Sequence, residues 1–338
     1  MIDFDLTEFS NCDAAKRSRI QSIIVAAQIE EDKLRVIDYA KRCLELVAPN
    51  KNMNTLLSSL KDFGKLDYTE DEVRAGVHVI RGFFAHKIHQ LRKATSINSY
   101  SIDITDISNH FDIDGIVAVD DFLPEEILSQ VVEELEHVGY AVSKNKDNII
   151  SNMSNTKFPA LKGVLVNSYM KELVFGLLGY PTTDQEVNVF YESNTFAQKL
   201  NIQPGDGDVQ KVLHLDTFFP CIKWWYFPHA IDIDGGPFSY VRTSNQFSHK
   251  MAKFIYDQSI EIVMGNIDPE RTYGHKEGSF RIFSEELDDM GLVETPYTVR
   301  ANTIVLANVC GFHRRREVLN EVKRNSIHGS IRVLFPFT

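Results

Sequence analysis

One histidine and one carboxylate of this chain stand two residues apart in a segment with the character of a β-strand. The segment is KVLHLDTFFP, in which His214 is followed by Leu215 and Asp216. Because successive side chains of a strand point to opposite faces, His214 and Asp216 share one face and the neighbouring leucines share the other. An imidazole and a carboxylate that converge in this way can begin a metal site. A set of two histidines and one carboxylate, which suits iron(II), needs one further histidine.

The spacing of His214 and Asp216 is weak evidence by itself. With 11 histidines and 47 acidic residues in 338, chance would supply 11 × 47/338, or about 1.5, such triplets. The chain contains three, and the other two are His110-Phe-Asp112 and His275-Lys-Glu277. Each of them also fits a solvated polar pair on the surface, so the surrounding sequence has to decide among them.

A second histidine is offered by His313, which follows the run NTIVLANVCGF. This run is apolar enough for an interior strand, and a period of two places Thr303, Val305, Ala307, Val309 and Gly311 on the same face as His313. We therefore expect the strand to deliver His313 into the mouth of a barrel. A surface histidine beside the arginines that follow it is the alternative.

Helices are expected in the first third of the chain. Residues from about 13 to 98 carry apolar side chains at spacings of three and four, as at Leu34, Ile37 and Leu44. Thr69-Glu70-Asp71-Glu72 is a capping box, which should open a helix that runs to about Lys93. The pattern changes near residue 106, so we predict an N-terminal helical segment, 1–105, and a second domain, 106–338.

The second domain is expected to be rich in β-structure. It begins with HFDIDGIVAVDDFLPEEILSQVVEELEHVG, which predicts a strand, a proline-marked turn and an amphipathic helix. From about residue 185 onward, short β-branched and aromatic runs such as IKWWYF and GPFSYVR are separated by Gly, Pro, Asn and Asp. This arrangement is typical of a β-sandwich or barrel.

Composition limits the classes of partner. The 36 basic and 47 acidic residues give a formal charge of −11, which opposes binding to a nucleic-acid backbone or an anionic membrane. The four cysteines form no CxxC pair, which argues against a zinc knuckle or a disulfide framework. The acidic N-terminus does not resemble a secretion signal, so the sequence predicts a cytoplasmic protein without a membrane span.

Residues 106–338 resemble the phytanoyl-CoA dioxygenase family of iron(II)/2-oxoglutarate-dependent oxygenases. The resemblance lies in the order of four features: HLD at 214–216, then Trp225, then DGGPFSYVRTSN at 234–245, and finally GFHRRREVLNEVKR with its histidine and last arginine. One departure is Arg242-Thr243-Ser244-Asn245, where the family usually has Pro-Gly-Ser-His. The resemblance implies an α+β fold with a double-stranded β-helix, or jelly-roll/cupin-like, barrel, supporting helices and the N-terminal helical segment.

The resemblance also implies roles for particular residues. Iron(II) would be held by His214, Asp216 and His313, and the far carboxylate of 2-oxoglutarate by Arg324, with Arg332 as the rival. Trp225 would lie near this cosubstrate, although a tryptophan in such a strand is also ordinary core.

The reaction that the resemblance implies uses O2 and hydroxylates a small molecule with release of succinate and CO2. Asp216 argues against halogenation, and desaturation and cyclisation stay open. The run Arg314-Arg315-Arg316 suggests either an anionic substrate or a solvated rim. A catalytically silent barrel that acts as a binding module is the alternative from another class. The N-terminal helices are expected to brace the barrel, to cover the site or to form a homodimer.

Overall fold

A computed structural model describes residues 9–58, 68–96, 104–138, 141–142, 148–152, 157–165, 167–179, 188–194, 209–266, 279–319 and 324–331. In chain order its helices are α1 (Ala14–Ile29), α2 (Lys33–Val47), α3 (Met53–Ser58), α4 (Glu70–Arg74), α5 (Val77–Ser96), α6 (Thr105–Asp114), α7 (Glu125–Glu136), α8 (Pro159–Leu165), α9 (Ser168–Leu178), α10 (His249–Met264) and α11 (Ser284–Met290). Its strands are β1 (Ile116–Val119), β2 (Ala141–Val142), β3 (Asn148–Asn152), β4 (Asn188–Asn194), β5 (Ile222–Phe227), β6 (Phe238–Val241), β7 (Glu294–Tyr297), β8 (Thr303–Asn308), β9 (His313–Arg315) and β10 (Arg324–Ile331).

The strands form two antiparallel sheets. The larger has the order β1-β8-β5-β10-β4-β3-β2, and the smaller has the order β7-β6-β9. Large side chains of both sheets meet in one apolar cluster, in which the rings of Trp225 on β5 and Phe238 on β6 lie 4.3 Å apart. The sheets therefore pack face to face across this cluster, in a mixed fold of helices and antiparallel sheets.

The large sheet has two different faces. On β5, Trp224 and Tyr226 pack with α9 in a second apolar cluster, whereas Trp225 and Phe227 turn toward the small sheet. Ile327 of β10 belongs to the second cluster, so the period of two places Arg324 on the side of Trp225 and Phe227. We call this surface the inner wall; its members are Lys223, Trp225, Phe227, Val305, Ala307 and Arg324.

Helices α1, α2, α3 and α5 share a hydrophobic cluster with the later part of the chain. Buried side chains of α1, α2 and α5, including Ile24, Leu44 and Ile80, belong to the same cluster as Leu213, Leu215 and Phe312. Burial of this apolar surface stabilises the helices against the segments that carry the candidate ligands. The predicted boundary at residue 106 and the predicted homodimer stay predictions.

The Thr69 capping box is present, but the helix that it opens is shorter than expected. The Thr69 hydroxyl accepts from Glu72 N at 3.3 Å, and Glu72 Oε2 accepts from Thr69 N at 2.8 Å. The helix ends at Arg74 because Gly76 takes a φ of +82°, and α5 begins at the next residue. Glycine adopts this left-handed conformation without the steric cost of a Cβ.

The segment HFDID was expected to begin a strand, and this prediction is wrong. Residues 110–114 form the last turn of α6, and β1 begins at Ile116. Two features explain the helix: Ser108 and Phe111 bury one face at a spacing of three, and Gly115 ends it with a φ of +78°. Apolar and polar residues alternate in FDIDGIVAV as they do in a strand. The alternation is misleading here because the end of a short helix, its glycine cap and β1 follow one another directly.

The run NTIVLANVCGFH was expected to be one continuous strand, and it is two. β8 ends at Asn308 in the large sheet, and β9 begins at His313 in the small sheet. Between them Gly311 packs against Tyr240, whose hydroxyl donates to Asn308 O at 2.7 Å. The chain thus crosses from one sheet to the other immediately before His313.

Among the helices that the structure describes, none is both long and apolar enough to cross a bilayer.

We expect Gly311→Ala to lower the free energy of unfolding by about 1–3 kcal/mol, the usual cost of overpacking. A Cβ at residue 311 would overlap Tyr240 Oη and approach Ser244 Oγ to 2.8 Å. Gly163 of α8 is the matched control, because a Cβ there meets nothing within 4 Å and alanine favours a helix. Denaturant titrations of both variants measure the difference, and equal stabilities would contradict the crowded crossing.

Candidate metal centre

His214 and His313 are held side by side by their own backbones. His214 N donates to His313 O at 3.0 Å, and His313 N donates to His214 O at 2.8 Å. On the other side of the same segment, Leu215 N donates to Phe280 O and Ile282 N donates to Leu213 O. The expected strand around His214 is thus an extended segment. It forms an isolated bridge to His313 on one side and to Arg281 on the other.

The expected alternation around His214 is present. Leu213 and Leu215 are buried in the cluster that includes the N-terminal helices. His214 and Asp216 turn the other way, toward His313. The pattern of apolar and polar residues in KVLHLD therefore separates the hydrophobic core from the candidate ligands.

The two imidazoles and the carboxylate of Asp216 converge. One ligand atom from each of His214, Asp216 and His313 lies within 4.8 Å of the others. His214 Nε2 is 3.6 Å from Asp216 Oδ1, and His313 Nε2 is 3.8 Å from Asp216 Oδ2. The histidine side chains are 1% and 3% exposed and the aspartate is 20% exposed, so the cluster is open on the side of Asp216.

Each imidazole is oriented by a backbone carbonyl. His214 Nδ1–H donates to Val212 O at 2.7 Å, and His313 Nδ1–H donates to Gly311 O at 3.0 Å. A carbonyl oxygen only accepts, so each ring carries its proton on Nδ1 and presents the lone pair of Nε2 to Asp216. His214 Nε2 is buried, and no described group forms a hydrogen bond with it. An imidazole fixed in this tautomer is suited to bind a metal ion.

The pKa values of the three side chains agree with neutral imidazoles and an ionised carboxylate. Burial lowers the pKa of His214 to about 3, with further contributions from His313 and from the guanidinium of Arg281. Burial likewise lowers the pKa of His313. Burial alone would raise the pKa of Asp216, but the interactions with neighbouring groups, first among them the ammonium of Lys223, outweigh it, and the pKa falls well below its usual range. Two neutral imidazoles and one carboxylate anion result, which is the state that binds a divalent metal ion.

Trp225 and Arg324 both lie on the inner wall, and Trp225 lies near the cluster. The ring of Trp225 is 6.4 Å from that of His313, and Phe238 lies 5.8 Å from His313. Arg324 is 1% exposed, its guanidinium carbon stands 5.2 Å above the centre of the Phe227 ring, and Nη1 donates to Ser326 Oγ at 3.5 Å. The structure thus brings the three predicted ligands together with Trp225, and it places Arg324 on the same inner wall beside Phe227.

The rival residues lie elsewhere. His110 is on the exposed side of α6, where its Nδ1–H donates to Asp106 O, and Asp112 pairs with Lys93. His275, Glu277 and Arg332 lie outside the described residues. In the arginine run, Arg314 forms two 2.7 Å hydrogen bonds with Glu294, so part of its charge is already neutralised.

Sequence reasoning missed two cations near the cluster. Lys223 forms an ion pair with Asp216 Oδ2, and Arg281, which is 1% exposed, stands opposite His214 in the backbone bridge. Lys223 could have been found, because it has the same strand parity as Trp225. Arg281 could not, since its pairing with His214 joins segments 67 residues apart in a chain without an internal repeat.

We expect His214→Ala and His313→Ala each to weaken Fe(II) or Mn(II) binding by at least about 100-fold, because even groups that only orient metal ligands contribute about 10- to 100-fold. Isothermal titration calorimetry under anaerobic conditions measures this affinity. His110→Ala is the matched control and should bind as the wild type does. Weakened binding in His110→Ala, with normal binding in His214→Ala, would contradict the assignment.

No protein-family model and no curated protein matches the sequence. Several solved structures are similar to the chain in three dimensions. The epimerase SnoN, in complex with Fe3+, alpha ketoglutarate and nogalamycin RO, is 11% identical with a TM-score of 0.47, over 68% of this chain and 82% of SnoN. HygX from Streptomyces hygroscopicus, with nickel, 2-oxoglutarate and hygromycin B, is 12% identical with a TM-score of 0.42, over 67% of this chain and 86% of HygX.

EctD from S. alaskensis, with 2-oxoglutarate and 5-hydroxyectoine, is 10% identical with a TM-score of 0.44, over 70% of this chain and 78% of EctD. The structures of SnoN and HygX contain a metal ion together with alpha ketoglutarate or 2-oxoglutarate, and that of EctD contains 2-oxoglutarate. At such identities and TM-scores the likeness assigns neither the chemistry nor the substrate of this chain. The residues of the cluster therefore carry the evidence for what this chain does.

Proposed function

We propose that the chain is an iron(II)- and 2-oxoglutarate-dependent dioxygenase of the phytanoyl-CoA dioxygenase type, which hydroxylates a small molecule and releases succinate and CO2. The observation that carries the proposal is the convergence of two Nδ1-protonated imidazoles on one carboxylate. Two histidines and one carboxylate on one side of a metal, with the remaining positions open, are the ligand set of non-haem iron(II) oxygenases.

The residues of the cluster fit a divalent metal ion. His214 Nε2 is a buried nitrogen lone pair without a hydrogen-bond partner among the described groups, and Asp216 supplies the negative charge. His214, Asp216 and His313 would hold the ion through these atoms. Bound iron(II) would supply the activation of dioxygen, coupled to the oxidative decarboxylation of 2-oxoglutarate.

Arg324 is the residue that we propose for the far carboxylate of 2-oxoglutarate. A guanidinium offers two parallel N–H donors that match the two oxygens of a carboxylate. Burial against Phe227 restricts the side chain and excludes water, both of which strengthen a charged hydrogen bond.

Trp225 and Phe238 would form the apolar side of the cosubstrate pocket. Both are buried in the cluster between the sheets, and both rings lie within 6.4 Å of the His313 ring. Apolar walls of this kind keep water away from a reacting centre. We also propose that the facing sheets belong to a double-stranded β-helix in domain 106–338, braced by the N-terminal helices.

One observation favours a second candidate, a catalytically silent binding module. The ammonium of Lys223 already neutralises Asp216, which is the arrangement expected of a site that works without a metal ion. The two candidates differ in a simple property, because only the oxygenase binds iron(II) through Asp216.

Turnover of 2-oxoglutarate separates these candidates. We expect purified protein with Fe(II), ascorbate and O2 to convert 2-oxoglutarate slowly to succinate without added substrate, and Asp216→Ala to lose this activity. Succinate measured by mass spectrometry gives the rate. If the wild type produces no more succinate than Asp216→Ala and binds no Fe(II), the oxygenase proposal is wrong.

Arg324→Met should weaken 2-oxoglutarate binding by at least tenfold, since one charge-assisted hydrogen bond contributes about 1.5–3 kcal/mol. Affinity for Mn(II) should change less than about threefold, and calorimetry measures both quantities in the Mn(II)-loaded protein. Arg81→Met is the matched control, because Arg81 is equally buried but donates to Tyr68 in the N-terminal helical segment. Equal loss of 2-oxoglutarate affinity in both variants would show a structural effect only.

A further inference from the structure

Lys223 is a cation placed directly at the candidate metal centre. Its ammonium group contacts Asp216 Oδ2, the carboxylate oxygen that also lies 3.8 Å from His313 Nε2. Its side chain is 24% exposed, and that of Asp216 is 20% exposed, whereas both imidazoles are buried. Lys223 therefore stands on the more exposed side of the centre.

A metal ion would change the surroundings of Lys223. When Asp216 binds a divalent cation, its negative charge is shared with the metal and attracts the ammonium group less. Two positive charges a few ångströms apart in a partly buried site repel one another strongly. With the metal bound, the ammonium group of Lys223 would have to form an ion pair with another anion or turn toward water.

The charges of the assembled site leave room for one anion. A divalent metal ion, Arg324 and Lys223 carry four positive charges, while Asp216 and 2-oxoglutarate carry three negative charges, and the two imidazoles are neutral. One positive charge remains among these groups. A single anionic group on the substrate would balance it, and buried charges are stable mainly when they are paired.

The position of Lys223 along its strand separates it from the proposed site of the far 2-oxoglutarate carboxylate. Arg324 stands over Phe227, which is four residues beyond Lys223 on β5, or about 13 Å at the usual rise of a strand. Arg324 and Lys223 thus lie at opposite ends of the inner wall, with Trp225 between them and Asp216 at the Lys223 end. The two cations are suited to two different anions.

We propose that Lys223 recognises an anionic oxygen group, a carboxylate or a phosphate, on the small-molecule substrate. This inference rests on the proposed function and names the class of substrate for the same site. It places the charge of the substrate beside Asp216, not at the Arg314-Arg315-Arg316 run, where Arg314 is paired with Glu294. Lys223 acts as a specificity-determining residue.

The test measures binding without turnover. Protein loaded with Mn(II) and 2-oxoglutarate is titrated by calorimetry with benzoate and hexanoate, with their primary amides, and with phenyl phosphate. We expect at least one anion to bind tenfold or more tightly than its neutral counterpart, which for phenyl phosphate is phenol. Lys223→Met should remove this preference and Lys223→Arg should keep it, while the affinity for 2-oxoglutarate changes less than threefold in both. The carboxylates and phenyl phosphate distinguish the two anion classes.

Lys211→Met is the matched control, because Lys211 is 28% exposed and also faces a carboxylate, that of Glu317 at 3.8 Å. It should leave the anion preference intact.

The proposal is overturned if the wild type prefers no anion, or if Lys223→Met retains the preference, as it would for an anion that coordinates the metal directly. Weaker binding of 2-oxoglutarate in Lys223→Met would overturn it as well, by assigning Lys223 to the cosubstrate. Failure of the proposed function is separate: the wild type would then bind no 2-oxoglutarate, while anions can still be titrated into the Mn(II) form.

Discussion

The backbone pairing of His214 with His313 is the constraint on which the rest of the site depends. Reciprocal hydrogen bonds of 3.0 and 2.8 Å place two buried imidazoles side by side, with ring centroids 4.5 Å apart. Two residues 99 positions apart in the chain become neighbours only because the chain leaves the large sheet at Asn308 and crosses to the small sheet before His313. The crossing at Gly311 is therefore part of the site, although Gly311 has no functional group.

The surroundings of this pair give each side chain a fixed chemical state. The carbonyls of Val212 and Gly311 hold the protons on Nδ1, burial keeps the rings neutral, and the leucines beside His214 fix the segment against the N-terminal helices. Asp216 is the more exposed member and meets Lys223. The buried imidazoles provide rigidity, and the open side with its paired charges is where a metal ion, a cosubstrate and a substrate can enter. Rigid ligands beside an accessible charged edge are what a metal-dependent binding or catalytic site requires.

Local patterns in the sequence predicted much of this arrangement. The alternation in KVLHLD separated the leucines from His214 and Asp216. The order of motifs pointed to His313, whose ligand atom lies within 4.8 Å of those of His214 and Asp216, and to Arg324, whose role stays a prediction. Trp225 also lies beside His313, as expected of a residue near the site. These features are readable because the period of two in a strand is a local property.

Other features depend on tertiary contacts and were missed. The helix at His110 resembled a strand because a left-handed glycine and a buried strand follow it at once, and the break after β8 depends on the packing of Gly311 against Tyr240. The bridge of Arg281 with His214 joins segments 67 residues apart, and the ion pair of Lys223 with Asp216 forms across the turn between the His214 segment and β5. No local pattern encodes the pairing of Arg281, whereas the strand parity that Lys223 shares with Trp225 could have indicated that Lys223 faces the site.

A crystal structure of the protein grown anaerobically with Fe(II) and 2-oxoglutarate, with anomalous diffraction recorded at the iron edge, tests the central claim most directly. The account predicts one strong anomalous peak within coordination distance of His214 Nε2, His313 Nε2 and an Asp216 oxygen, with 2-oxoglutarate reaching from the metal toward Arg324. An iron peak at another place, or Lys223 still paired with Asp216 and no metal between the histidines at saturating Fe(II), would contradict it.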